Sequence, residues 1–157
     1  MMSSRSEERT RYVGASMRLV WQWIWAQNFG GIVRAGYDDL NPAHVGLFRH
    51  PTLEGLRLTD IAQRMQITKQ SVHELVGHLE ARGYLVREPD PADRRARIVV
   101  LTQHGRRLET VVREQARQAE EQIAAILGPR RFTQLQQALE TLIAELPPIN
   151  GELQSST

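Results

Sequence analysis

Residues 58–83 read LTDIAQRMQITKQSVHELVGHLEARG, and this stretch restricts the backbone more than any other in the chain. Ile61, Ala62 and Met65 recur at helical steps behind Thr59, which is expected to cap a first short helix. Only Gln66 and Ile67 separate it from Thr68, the cap of a second helix, and Gly83 stands where a left-handed residue ends one. Stepping 100° per residue from Val72 gathers Val72, Leu75, Val76 and Leu79 on one face, the inner one. The opposite face carries Gln70, Glu74, Gly77 and Ala81, with Lys69 and His73 at its edges. It is polar at its N-terminal end and small towards its C-terminal end.

After Gly83 the pattern changes. YLVRE reads as a short strand, EPDPADRRAR carries the turn formers Pro89, Asp90 and Pro91, and RIVVLT reads as a β-branched second strand. The connecting loop crowds Asp90, Asp93, Arg94, Arg95 and Arg97 into eight positions. Two helices follow. One spans about 103–127, with Leu108, Val111, Val112, Ala116, Ala119, Ile123 and Ile126 at three- and four-residue steps. Gly128-Pro129 breaks it, and Phe132, Leu135, Leu139, Leu142, Ile143 and Leu146 repeat the period until Pro147-Pro148.

Upstream, a helix is expected from about Glu7 to Ala35, with Tyr12, Ala15, Leu19, Trp23 and Ala26 on one stripe. Met17, Val20, Trp21, Ile24 and Trp25 widen the apolar surface until it covers most of the helix, which therefore needs burial on more than one side. Gly30-Gly31 is expected to kink or end it. Asn41-Pro42 starts a further helix, roughly 42–49, which Pro51 stops.

The pattern predicts a mainly α protein with a small two-stranded β wing: a winged helix-turn-helix flanked by a helical dimerisation layer. Residues 1–40 and 104–147 form that layer, 41–103 the winged lobe, and 148–157 a disordered tail. The outer helices are more apolar than one small lobe requires, so a homodimer is expected.

Composition narrows the function. Among 20 basic residues Lys69 is the only lysine, and the formal charge is +2. There is no cysteine, hence no disulfide framework, thiolate metal site or thiol redox sensor. Neither a secretory leader nor an apolar membrane span is legible, which predicts a soluble, cytoplasmic protein with no membrane partner. HELVGH (73–78) mimics a zinc-protease motif, but its histidines are five apart. Five residues turn a helix by about 500°, which leaves His73 and His78 on different faces. No phosphate loop, nucleophile elbow or paired carboxylates appear. The expectation is no metal, no cofactor and no enzyme.

The stretch from Leu58 through Gly105 resembles the MarR family of bacterial transcriptional regulators. Its most specific part is D-P-x-D-R-R, strand residues and L-T-x-x-G, present as Asp90, Pro91, Asp93, Arg94, Arg95, Leu101, Thr102 and Gly105. The resemblance implies a homodimer on double-stranded DNA, with a recognition helix in each major groove and a wing arginine in the neighbouring minor groove. The physics of the loop agrees, because a narrow minor groove attracts arginine. On that reading Thr68, Lys69, Gln70, Ser71, His73 and Glu74 form the helix contacts, and Arg95 reads the groove. Arg94 and Arg97 lie on phosphates or on Asp93 and Asp90, and Asp93 orients an arginine fork.

Two departures from the family pattern stand out. Gln66 occupies a turn position where the family often has Gly, so a left-handed non-glycine residue is expected. Gly46 and Pro51 shorten the second helix, which helps wall the family's ligand crevice. Family members commonly bind aromatic acids or hydrophobic compounds there. Trp25, His44 and Phe48 are the expected wall for a small-molecule effector, set against the reading that such aromatics are dimer core. The leading function is a transcriptional repressor released by such a ligand. The alternatives are a winged-helix protein–protein module that never binds DNA, and an enzyme on the helical layer, for which no residue is at hand.

Overall fold

A computed structural model describes residues 12–48 and 53–147. Its elements are α1 (Val13–Arg34), α2 (Pro42–Leu47), α3 (Leu58–Met65), α4 (Lys69–Ala81), β1 (Leu85–Pro89), β2 (Arg97–Leu101), α5 (Gln103–Leu127) and α6 (Pro129–Glu145). The mainly helical architecture with one two-stranded antiparallel sheet is the one the sequence pattern predicts.

Local chemistry sets most of the boundaries. The Asn41 carboxamide accepts the His44 N–H at 3.0 Å, while the His44 ring returns the favour by accepting the Asn41 N–H at 3.2 Å. Thr68 Oγ1 accepts the Ser71 N–H at 3.1 Å and opens α4. At its far end Gly83 has φ 74°, with its own N–H on Glu80 O and the Tyr84 N–H on Leu79 O. That paired closure is the Schellman motif, and it turns the chain directly into β1. Gln66 is left-handed, φ 53° and ψ 42°, as its place in the helix-turn-helix predicts.

Four boundaries differ from the sequence reading. Gly30-Gly31 neither ends nor interrupts α1, which runs on to Arg34. Gly31 instead marks a close approach, since a Cβ there would sit 1.6 Å from Gln115 Oε1 on α5. The cap position of α3 is Arg57 rather than Thr59, because Leu58 is already helical. Its N–H is met by the Asp60 carboxylate at 3.3 Å. The α2 helix closes at Leu47, two residues early, and Pro51 lies outside the described residues, as does Glu7, the expected start of α1. The first strand begins at Leu85 and takes in Pro89, with Leu85 opposite Leu101 and Pro89 opposite Arg97.

One core joins α1 to the winged lobe. Ile32, Val45, Leu47, Ile61, Val72, Val76, Leu79, Leu85, Val99 and Leu108 are fully or almost fully buried in a single cluster. The outer helices are different. No residue of α6 is buried, and Leu135, Leu142, Ile143 and Leu146 are exposed. The first half of α1 likewise exposes Met17, Leu19, Val20 and Trp21. Among the described residues no helix is long and apolar enough to cross a membrane.

Candidate nucleic-acid interface

The helix α4 buries the face that the 100° stepping assigns to the interior. Val72, Val76 and Leu79 are buried and Leu75 is half-buried, whereas Lys69, Gln70, His73 and Glu74 are exposed. Thr68 and Ser71 are tied to each other through their hydroxyls at 2.8 Å. Gln70 Nε2 donates to Glu74 Oε1 at 3.2 Å. A carboxylate only accepts, so this bond fixes which way the Gln70 amide faces. The first turns of α4 thus present a preorganised polar surface. His78 does not join His73, and its ring lies edge-on to that of His44, 5.6 Å away.

The wing is a seven-residue loop between Pro89 and Arg97, and its two aspartates shape it. Asp90 Oδ1 accepts the Ala92 N–H at 2.8 Å, and Asp93 Oδ1 accepts the Arg95 N–H at 3.1 Å. Each is a side chain mimicking a turn two residues on. Backbone bonds from Ala96 N to Asp93 O, 2.8 Å, and from Asp90 N to Ala96 O, 3.0 Å, close the loop. Asp93 therefore holds the backbone at Arg95 instead of gripping an arginine fork, a correction to the sequence reading.

The expected pairing of Asp90 with a wing arginine is also absent. Its partner is Arg57, whose Nε and Nη2 lie 2.6 and 2.5 Å from Asp90 Oδ2. The Ala92 N–H first, and then Arg57, hold the Asp90 carboxyl below the usual range. Among the described residues Arg94, Arg95 and Arg97 form no ion pair, and all three are exposed. Charge is left facing outward at the tip of the hairpin.

Further contacts fix the hairpin to its surroundings. The Arg87 guanidinium on β1 donates to the Glu80 carboxylate of α4, with Nε at 2.9 Å, which locks the wing to the helix. Thr102 Oγ1 donates to Gly83 O at 2.6 Å and accepts the Gly105 N–H at 3.1 Å, capping α5 against the turn that ends α4. Arg57, Glu80 and Arg87 were not singled out from sequence. Arg57 lies 33 residues from its partner, and nothing in its neighbourhood signals it.

None of the expected effector-wall residues Trp25, His44 and Phe48 is exposed. Phe48 is buried in the core, and Trp25 packs against that core, with its ring 6.1 Å from Phe29. His44 is buried but turns towards α4 and His78, and its Nε2 has no hydrogen-bond partner among the described residues. Among those residues no cluster of three or more His, Cys, Asp or Glu is placed to hold a metal ion.

A helix-turn-helix whose second helix runs into a tethered antiparallel hairpin defines a winged-helix protein. Residues 39–96 of this lobe match the family model described as the MarR family. The transcriptional activatory protein BadR of Rhodopseudomonas palustris is 32% identical over 71 residues, covering 45% of this chain. That match spans 41% of BadR, less than half its length. The transcriptional regulator Tm0710 of Thermotoga maritima superimposes with a TM-score of 0.58 at 28% identity, over 83% of this chain and 91% of its own. The transcriptional repressor CouR, solved on a 23-mer DNA duplex, gives 0.68 at 23% identity, over 90% and 99%. At that identity CouR attests the fold.

Proposed function

We propose that this chain is a sequence-specific DNA-binding transcriptional regulator, acting as a homodimer on a palindromic operator. One observation carries the reading. The exposed polar turns of α4 and a wing with three exposed arginines, none in an ion pair among the described residues, are locked into one lobe by Glu80 and Arg87. An α-helix N-terminus suits the major groove, and the narrow minor groove attracts arginine. Thr68, Lys69, Gln70, Ser71, His73 and Glu74 are the proposed helix contacts. Arg95 is the proposed groove reader, with Arg94 and Arg97 on phosphates.

The dimer is supported by the unburied apolar faces of α1 and α6, which soluble monomers rarely leave open. Repression, with release by a small aromatic or hydrophobic ligand, is the proposed output. Its support is Trp25, half-buried beside the core at the edge of the exposed half of α1.

Selection of duplexes from a random pool tests the function. The expected winner is an inverted repeat whose half-sites lie about one helical turn apart. A pool that shows no enrichment would overturn DNA recognition and favour a protein-binding module. Sedimentation tests the dimer, and a folded species near 17.9 kDa at micromolar concentration would refute it.

A further inference from the structure

The segment leading into α3 lies along β2 of the wing and is tied to it by backbone contacts. Gly55 N donates to Val99 O and Val99 N to Leu56 O, both at 2.9 Å, and Arg57 bridges to Ile98. One residue before Gly55, the Glu54 carboxylate is gripped by the Arg106 guanidinium at the start of α5. From its place opposite Ile98 the Arg57 side chain reaches the wing loop and meets Asp90.

The contacts continue without a gap. Asp90 accepts from Ala92, its carbonyl accepts the Asp93 N–H at 3.2 Å, and Asp93 accepts the Arg95 N–H at 3.1 Å. Asp90 is buried, whereas residues 91–95 are exposed. Among the described residues these bonds and the Ala96 N–H on Asp93 O hold the tip, and Arg57 is the cation at the base of the loop.

We propose that Arg57 is a positioning residue for the wing: through Asp90 it sets where Arg95 is held, without touching DNA itself. This rests on the proposed DNA-reading role of the wing. An ion pair that served only stability would affect every DNA contact alike. A positioning role predicts that Arg57 matters only while Arg95 is present.

The test measures affinity of the full-length protein for an operator duplex selected by the wild type. Arg57→Gln and Asp90→Asn are each expected to weaken binding about tenfold while the dimer and its thermal midpoint persist. Added to Arg95→Ala, neither is expected to cost more than about a further twofold, whereas with Ser71→Ala the losses should multiply. Arg57→Lys, which keeps the charge, is expected to recover part of the loss and serves if the glutamine variant does not fold. Losses that multiply with Arg95→Ala overturn the inference. So does a defect in Arg57→Gln that Asp90→Asn fails to reproduce, since that pattern means Arg57 contacts phosphate directly. A wild type that selects no DNA removes the function and this inference together; independent losses in a protein that does select DNA remove this inference alone.

Discussion

Gly105 lies directly beneath the carbonyl of Tyr84, so that a Cβ at this position would come 2.0 Å from that oxygen. The family's L-T-x-x-G pattern thereby gains a physical meaning. Thr102 pins the start of α5 to Gly83, and Gly105 lets the helix backbone press against the turn that ends α4. Backbone on both sides of the contact leaves no side chain free to move aside. Gly105→Ala is expected to destabilise by about 1–3 kcal/mol or more. Gly31→Ala makes the contrast, because its obstacle is the end of the flexible Gln115 side chain. Relief of a mid-helix glycine, about 1 kcal/mol, offsets that displacement, and near-neutral behaviour is expected. Urea denaturation at matched protein concentration distinguishes the two, and equal losses would refute the account.

On α4, Gln70 and Glu74 act as a bonded pair. Replacing either by Ala is expected to change which operator is preferred, by about 1–3 kcal/mol between cognate and altered bases. Ser71→Ala breaks only the hydroxyl link to Thr68 and is expected to weaken binding to all sequences alike. Repeating the pool selection with each variant checks this. Unchanged preferences in the Gln70 and Glu74 variants would remove them from base readout.

At the wing, Arg95→Ala is expected to weaken operator binding strongly with less than about 0.5 kcal/mol lost in folding, because an exposed tip buries little. The slope of log affinity against log salt should flatten by about 0.9 for each phosphate charge no longer neutralised. Asp93→Ala is expected to be milder, since the arginine remains and only its backbone support is lost. A salt series on one operator measures both. An unchanged affinity and slope for Arg95→Ala would leave the arginines as ordinary solvated charges.

His44 gives the fold a pH dependence. Burial above all, and then the neighbouring His78 and Arg82, hold its pKa below the usual 6.5, with Asp39 opposing. Below pH 6.5 the unfolded chain takes up this proton before the folded one does. The associated stability is therefore complete above pH 6.5 and is lost as pH falls through the lower folded value. His44→Gln, which retains an acceptor for the Asn41 N–H, is expected to flatten the profile of urea midpoint below pH 6.5. A variant as steep as wild type there would assign the effect elsewhere.

What the sequence determined by itself is what residues decide within three or four positions of one another. Thr68 as a cap, Gly83 as a stop, the span of α5 and the inner face of α4 all follow from such short-range chemistry. The motif also placed Arg94 and Arg95 at the hairpin tip. Tertiary structure decided the rest. Thr59 lost the cap position because the bridge of Arg57 to Ile98 lets the helix start one residue before it, at Leu58. Gly31 proved to be a point of contact with α5 because Gln115, far along the chain, lies against it. Asp90 took Arg57 over the arginines next to it because the closed loop turns their side chains to solvent while the segment bridged to β2 brings Arg57 to the base of the loop. Local spacing specifies an element and its ends; which charges meet depends on where distant elements are packed, and pairs separated by 33 residues leave no local trace.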